Sequence, residues 1–277
     1  MELIFRNPPA ILRPFIDQLW HVSGDEFNQQ DLGLPVMRHE LMFNFSEQFA
    51  VTDVHDQTLI INKESWLNGI YTRPQRSTTQ GRHETFGVFL KPWALYSLTN
   101  IPASELTNQV VDGPTIFRQS IAETTDFVRD LVSADDKLAG VEQFLIKHLA
   151  SKDVPAYIPY AVAYLQNRPW HDGIIRELAA KLRRTPKSLT VAFKKYIGIS
   201  PGRFLHLRLL NEVATDLARN PQQSLTELAY HHRFFDQAHL NHLFKSLTNL
   251  TPGTYRNRVL AGDVDQTDPC FIRENTA

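Results

Sequence analysis

The chain has little cysteine: among its 277 residues there is one, Cys270. A single cysteine excludes an intramolecular disulfide and any metal site built from cysteine ligands, and it is typical of proteins in a reducing compartment. No apolar run approaches the roughly 18 residues that a membrane-spanning helix needs. Residues 1–6 lack a basic start followed by a long apolar stretch. We therefore expect no signal peptide, no membrane association and a cytoplasmic protein.

Motifs of several enzyme classes are also missing. The sequence contains no G-x-S-x-G elbow, no P-loop and no G-x-G-x-x-G dinucleotide fingerprint. Carboxylates and hydroxyls are common, but no spacing singles out a catalytic pair. Cys270 lies in a polar segment that suits a buried nucleophile poorly. We therefore predict no catalytic residues, no cofactor and no enzymatic activity.

The net charge of −1 conceals two halves of opposite character. Residues 156–258 contain 15 Lys and Arg against 6 Asp and Glu, whereas the rest of the chain contains 14 basic and 24 acidic residues. A basic region attached to an acidic one indicates a polyanionic partner for the basic part. A solvated basic surface without a partner is the alternative that charge alone leaves open.

Local patterning predicts a β-rich front and an all-helical back, and hence an α+β protein of two domains. Short runs rich in β-branched and aromatic residues predict strands near residues 41–45, 49–51, 58–61 and 85–90. Apolar residues at helical spacing then predict two helices between residues 115 and 150, separated near Ser133. We expect a sensor or regulatory domain over residues 1–150, a linker over 151–155, a helical domain over 156–260 and a frayed tail over 261–277.

The helical domain contains an internal repeat with an offset of about 51 residues. Three matches define it: Glu177-Leu178-Ala179 and Glu227-Leu228-Ala229, Phe193-Lys194 and Phe244-Lys245, and Ser200-Pro201 and Thr251-Pro252. Each copy predicts a short helix, a tight turn and a second helix, which is helix-turn-helix geometry. Between the copies, a helix from Pro201 to about Arg219 would span roughly 29 Å at 1.5 Å per residue.

Capping and burial patterns support this interpretation. Thr185 and Asp236 are expected to cap the second helix of each copy, and Ser224 with Glu227 to form a capping box on the first helix of the second copy. Phe193 and Phe244 are expected on the buried faces, with neighbours at helical spacing.

These motifs resemble the DNA-binding domain of the AraC/XylS family of bacterial regulators. The resemblance rests on the following residues: Leu178-Ala179, Thr185, Leu189, Phe193-Lys194-Lys195, Gly198, Ser200-Pro201, Phe204, Arg208, Leu228-Ala229, Phe234, residues 236–240, Phe244-Lys245, Thr251-Pro252 and Tyr255-Arg256. The front half resembles, more loosely, the β-rich and in some cases cupin-like N-terminal domain of such regulators.

The resemblance implies which side chains face DNA. It implies base contacts from Lys187, Thr190 and Val191, and the outward positions also include Lys194. On the second recognition helix the outward set is Gln237, Ala238, Asn241 and His242. Lysine suits guanine, threonine and valine suit a thymine methyl, and glutamine and asparagine suit adenine. Thr185 and Asp236 would direct helix N-termini toward phosphates.

Three positions depart from the family pattern. His242 stands where relatives often have arginine. Many relatives have glycine in each helix-turn-helix turn, where this sequence has Arg183 and Arg233. Arginine adopts a positive φ less readily than glycine does. Three alternatives are open: the turns bend differently, the strain is tolerated while the guanidinium meets a phosphate, or the arginines only face solvent.

The histidines could in principle bind a metal. In the back half they are His231, His232, His239 and His242, and in the front half His21, His39, His55 and His83. The first group has no evident carboxylate partners in the sequence and the second lacks a tight ligand spacing, so we predict no metal site.

The function that follows is that of a transcription regulator. The helical domain would bind double-stranded promoter DNA and recruit or block RNA polymerase. The front domain would sense a small-molecule effector or mediate self-association, for example as a homodimer. The alternative is a small-molecule-binding, cupin-like protein whose DNA-binding domain is degenerate.

Overall fold

A computed structural model describes residues 2–54, 59–61, 63–149, 154–264 and 268–274. Within these residues the front half is built on an antiparallel sheet of nine strands. The strands are β1 (Glu2–Arg6), β2 (Ile16–Gly33), β3 (His39–Asn44), β4 (Gln48–Asp53), β5 (Leu59–Ile61), β6 (Ser65–Asn68), β7 (Gln75–Leu90), β8 (Val110–Asp112) and β9 (Phe271–Glu274).

Two long strands organise the sheet. β2 and β7 pair from Ile16 opposite Leu90 to Gly33 opposite Gln75, with a shift in register between Gly24 and Phe27. β3 and β4 pair with β7, and β1 and β9 pair with β2. The strands predicted near residues 41–45, 49–51, 58–61 and 85–90 are confirmed as β3, β4, β5 and the end of β7, although residue 58 lies outside the described residues.

Five short or medium helical segments follow the sheet. They are α1 (Ala94–Thr99), a 3₁₀ turn (Ala103–Glu105), α2 (Gly113–Phe117), α3 (Gln119–Asp130) and α4 (Ala134–Leu149). The predicted break near Ser133 is confirmed, because α3 ends at Asp130 and α4 begins at Ala134. Buried side chains of α3 and α4 pack with those of the sheet in one core. The predicted linker falls largely on residues 151–153, which lie outside the described residues.

The back half is helical, as predicted. Its helices are α5 (Tyr157–Asn167), α6 (Ile174–Lys181), α7 (Pro186–Ile197), α8 (Pro201–Arg219), α9 (Leu225–His231), α10 (Gln237–Thr248) and α11 (Pro252–Leu260). The α+β fold class is therefore confirmed. Among the described residues, no helix is both long and apolar enough to traverse a lipid bilayer.

The expectation that the chain frays after Leu260 is wrong. Residues 271–274 form β9, which pairs with β2 so that Ile272 lies opposite Leu32. Ile272 is 1% exposed and Cys270 is buried as well, so the sequence around Cys270 is polar but its side chain is not solvated. Burial raises the pKa of the Cys270 thiol to about 12. The physical reason is that alternate residues of a short strand can be buried within an otherwise polar segment.

The two halves share a core. Leu32, Leu34 and Ile70 of the front half belong to the same cluster of buried side chains as the helices from α5 to α11. Hydrogen bonds also cross between the halves, from the guanidinium of Arg203 to the carbonyl of Thr72 at 2.8 Å, and from the hydroxyl of Thr107 to the carbonyl of Gly198 at 2.9 Å. The helices are thus held against the sheet by apolar and polar contacts.

Candidate nucleic-acid interface

The first helix-turn-helix unit consists of α6 and α7. Leu178 and Ala179 of α6 are buried, and the small Ala179 side chain lets α7 cross close by. Thr185 caps α7: its hydroxyl oxygen accepts a hydrogen bond from the backbone N–H of Ser188 at 3.1 Å. Phe193 is fully buried on the inner face of α7. The predicted cap and buried face are confirmed.

The second unit repeats this arrangement with α9 and α10. Asp236 caps α10, since its carboxylate accepts a hydrogen bond from the backbone N–H of His239 at 2.7 Å. Phe244 is 1% exposed on the inner face. The predicted capping box is wrong, because Ser224 stands at the N-cap of α9 without a side-chain cap hydrogen bond. Ser224 and Glu227 are exposed, so water can satisfy the free N–H groups of that first turn.

The two turns have the same backbone geometry. Arg183 has φ 52° and Arg233 has φ 58°. In the first turn, the N–H of Arg183 bonds to the carbonyl of Ala180 and the next N–H to that of Ala179, both at 2.9 Å; the second turn repeats the pattern. This is a Schellman C-cap, in which the left-handed residue is usually glycine. The alternative of differently bent turns is excluded, and both arginine side chains are exposed.

The outward face of α7 carries the predicted residues. Lys187, Val191 and Lys194 are exposed, with 62% of Val191 accessible to solvent. Thr190 is half-buried, and its hydroxyl donates to the carbonyl of Pro186 at 2.9 Å. That bond leaves the Thr190 methyl group and the hydroxyl lone pairs for an external contact.

Part of the outward face of α10 is covered or hydrogen-bonded by neighbouring side chains. Ala238 and His242 are exposed, whereas Gln237 and Asn241 are half-buried. The hydroxyl of Thr226 on α9 donates to the side-chain oxygen of Gln237 at 3.0 Å, which leaves the Gln237 amide N–H groups as donors. In the described part of the chain, the buried side-chain oxygen of Asn241 has no hydrogen-bond partner. Sequence reasoning missed Thr226, because contacts between the two helices of a unit are not visible in periodicity.

The helix α8 joins the units and is held at its first turn and near its middle. Its first turn is capped by Ser200, whose hydroxyl accepts from the N–H of Arg203 at 3.2 Å. The buried guanidinium of Arg208 donates to the carbonyl of Arg168 at 2.6 Å and lies 3.2 Å from the carboxylate of Glu212. Burial lowers the pKa of Arg208. Arg208, which carries part of the family resemblance, is thus a structural residue that ties α8 to the end of α5.

Some basic side chains of the helical domain lie against tyrosine rings. The guanidinium of Arg184 lies 3.8 Å from the ring centre of Tyr157. The ammonium of Lys195 lies 5.0 Å from the rings of both Tyr96 and Tyr196, and hydrogen bonding with Tyr96 first, then Tyr196, raises its pKa. Since Tyr96 belongs to α1, the end of α7 is held against the front half.

The histidines of the back half have separate surroundings. His239 packs edge-on against the rings of Trp170 and Phe234, at centroid distances of 6.3 and 5.2 Å. His231 and His232 close α9, where the structure brings them beside Asp216 of α8. The sequence prediction overlooked this carboxylate, because it lies on a different helix.

The histidines of the front half have different hydrogen-bond partners. His21 lies 3.2 Å from the Glu84 carboxylate, and His83 lies 2.6 Å from the Ser46 hydroxyl. His39 bonds to the carbonyl of Pro92 at 3.1 Å. His55 lies outside the described residues. His39 also forms a hydrogen bond with the backbone of Ile197 at the end of α7, so it connects the two halves, whereas the contacts of His21 and His83 lie within the front half.

Two family models match the chain. Residues 178–258 match a helix-turn-helix domain, and residues 5–112 match a domain of unknown function, DUF6597. An uncharacterized HTH-type transcriptional regulator from Haemophilus influenzae is 33% identical over 98 residues, which make up 35% of this chain and 32% of that protein. The chain therefore spans about a third of the length of that curated relative.

Solved structures with a similar chain path include ToxT from Vibrio cholerae, at 13% identity and a TM-score of 0.47 over 88% of this chain and 98% of that one. The AraC-like transcriptional activator CuxR is similar at 13% identity and a TM-score of 0.31, over 76% of this chain and 86% of that one. The family match over residues 178–258, together with the two capped helix-turn-helix units, shows that this part of the chain is a helix-turn-helix domain.

Proposed function

We propose that this chain is a sequence-specific DNA-binding transcription regulator that inserts α7 and α10 into successive major-groove segments of promoter DNA. The observation that carries the proposal is the pairing of two capped helices, each with a buried aromatic inner face and a solvated outer face. The 19 residues of α8 that join them span roughly 29 Å at 1.5 Å per residue. One turn of B-DNA separates successive major-groove segments by about 34 Å, which a spacer of this length fits.

The outward side chains suggest the roles in base recognition. Lys187 would donate to guanine O6 and N7, and Val191 would touch a thymine methyl group. On α10, Gln237 is the strongest candidate for adenine, because the bond from Thr226 orients its amide donors. Thr190, Ala238, Asn241 and His242 would complete the two base-facing sets.

Phosphate contacts would come from the edges of each unit. The free N–H groups at the starts of α7 and α10, next to Thr185 and Asp236, can meet phosphate oxygens. Arg183, Arg233 and Lys194 are exposed cations beside those helices. The excess of positive charge in residues 156–258 would attract the duplex to this half of the chain, while the acidic front half would be repelled from it.

We propose further that residues 1–150 regulate the DNA-binding region, which comprises residues 156–260. The hydrogen bonds from Thr107 to Gly198 and from Arg203 to Thr72 attach the front half to the residue that follows α7 and to the first turn of α8. A small-molecule effector or self-association that moves the front half would therefore change the position of α7 relative to α10. RNA polymerase is the expected protein partner of such a regulator at a promoter.

The alternative, a small-molecule-binding protein with a degenerate DNA-binding domain, is less well supported. Degeneration would be expected first on the outward faces, because folding does not depend on their side chains. Here the outward faces still carry Lys187, Gln237 and Asn241, side chains of the types that contact base edges.

The proposal is tested by measuring the affinity of full-length Lys187→Ala for its DNA site at several salt concentrations. Loss of a base contact should cost about 1–3 kcal/mol of binding free energy and relax the preference at one base pair. Lys147→Ala is the matched control, since Lys147 is an exposed lysine on α4 and lies outside both helix-turn-helix units. Equal weakening by both substitutions would contradict the proposed role of α7.

A further inference from the structure

Three side chains converge where α9 ends against α8. Nε2 of His232 lies 2.9 Å from a carboxylate oxygen of Asp216, and Nε2 of His231 lies 3.9 Å from the same oxygen. The rings of the two histidines are nearly perpendicular, with centroids 5.0 Å apart. One ligand atom from each residue falls within 4.8 Å of the other two.

We propose that His231, His232 and Asp216 bind a divalent transition-metal ion, with Zn²⁺, Ni²⁺ and Co²⁺ as the best-suited ions. Two imidazole nitrogens and one carboxylate oxygen are the donor types that these borderline ions prefer. Ligand atoms about 2.0–2.2 Å from a tetrahedral zinc lie about 3.3–3.6 Å from one another. The two nitrogen-to-oxygen distances lie on either side of that range, and all three ligand atoms lie within 4.8 Å of one another, so rotations of the two histidine side chains would bring them to metal-binding distances.

The surroundings of His232 have the form of an outer ligand shell. Its second ring nitrogen, Nδ1, lies 3.7 Å from the carboxylate of Glu212, and Glu212 is itself held 3.2 Å from the guanidinium of Arg208. At 3.7 Å the Glu212 carboxylate neighbours Nδ1 without a hydrogen bond, and a closer approach would fix the tautomer and the orientation of a metal-binding histidine. The Asp216 carboxylate also offsets part of the charge of a divalent cation.

The three side chains differ in solvent exposure, and these differences suit the entry of a metal ion. The His232 side chain is only 8% exposed, that of Asp216 is 32% exposed and that of His231 is 68% exposed. Together they border a cleft of about 720 Å³ that also includes Arg219 and Trp170. An ion can enter from the cleft and bind the two inner ligands before His231 closes over it, while solvent supplies the remaining coordination position.

A bound ion would affect the second helix-turn-helix unit, because the site lies directly before the turn into α10. His231 and His232 directly precede Arg233, whose left-handed turn leads into α10. A metal bound by both helices would join the end of α9 to α8, and so fix the orientation of the second helix-turn-helix unit. Metal binding itself does not depend on the proposed DNA-binding function, and either can fail without the other.

The test uses the full chain without a histidine tag, stripped with a chelator and titrated with Zn²⁺ by calorimetry and with Co²⁺ by visible absorption. We expect one ion per chain, a d–d absorption spectrum of a nitrogen- and oxygen-ligated Co²⁺, and a melting temperature that rises with Zn²⁺. His232→Ala and Asp216→Asn should each abolish the one-to-one binding. Glu212→Gln should weaken it by about 10-fold or more, as outer-shell changes do.

The matched control is His171→Ala, because His171 is an exposed histidine 3.3 Å from a single carboxylate, that of Glu177. This variant should bind Zn²⁺ as the unmodified chain does. The proposal is overturned if the unmodified chain takes up no stoichiometric Zn²⁺ or Co²⁺, or if His171→Ala removes as much binding as His232→Ala. Circular dichroism of the stripped variants distinguishes loss of the site from loss of folding.

Discussion

Arg183 and Arg233 occupy equivalent places in two turns of this chain, with φ of 52° and 58°. A side chain in this left-handed region costs about 1 kcal/mol or more relative to glycine. Arg183→Gly and Arg233→Gly should therefore each raise the free energy of unfolding by about 1 kcal/mol, measured by urea denaturation.

The same two variants separate the remaining roles of these arginines. If the guanidinium meets a phosphate, each glycine variant should lower DNA affinity and reduce the slope of log affinity against log salt by about 1, in spite of its higher stability. The neighbouring Arg184→Gly is the control: Arg184 is not at positive φ and lies on the Tyr157 ring, so this change should destabilise the chain. Unchanged DNA affinity would mean that Arg183 and Arg233 only face solvent.

The inner and outer faces of α7 should respond differently to truncation. Phe193 is fully buried, so Phe193→Ala should cost roughly 3–5 kcal/mol of stability through lost burial and the cavity left behind. Val191 is 62% exposed on the same helix, and Val191→Ala should change stability by no more than about 0.5 kcal/mol. Thermal or urea denaturation of both variants checks this, and similar losses in the two would show that the helix faces are misassigned.

The C-terminal strand β9 should contribute to stability as part of the sheet. Ile272 is 1% exposed and Phe271 is 43% exposed on the opposite face. Ile272→Ala should destabilise the protein by about 2–4 kcal/mol, whereas Phe271→Ala should have a much smaller effect. If the two variants unfold at the same urea concentration as the unmodified chain, the segment is not docked.

The sequence predicted the helix-turn-helix units well because their signals are local. Caps such as Thr185 and Asp236, and apolar spacing such as that of Phe193, depend on residues within one or two turns. The role of β9 was missed because strand pairing between Leu32 and Ile272 joins residues far apart in the chain. The Asp216 and Thr226 contacts were missed for the same reason, since each joins side chains on different helices. At Arg183 a local preference failed to predict the structure. Arginine favours a negative φ, but the turn between α6 and α7 holds this residue at a positive φ.

Stability should fall in mild acid because buried histidines must stay neutral. Burial lowers the pKa of His39 to about 4, against 6.5 in the unfolded chain. The unfolded state therefore binds more protons between these values, so the contribution of His39 is complete above pH 6.5 and is lost as the pH falls toward 4. The loss should be on the order of 2–3 kcal/mol.

His39→Gln should flatten this part of the stability profile, measured by urea denaturation from pH 7.5 to 4.5. His83, whose pKa is also lowered to about 4 by burial, should account for much of the remaining slope. The exposed His171→Gln serves as the reference and should leave the profile unchanged. An equally steep profile in His39→Gln would contradict the account of this residue.

The central claim is that one chain reads DNA with two helices, and selection of bound sequences from a random DNA pool by the full-length protein tests it most directly. At near-physiological salt, the account predicts an enriched site with two short motifs about 10 base pairs apart. Lys187→Ala should blur the first motif alone and Gln237→Ala the second alone. A single enriched motif, or a pool that stays random, would contradict the claim.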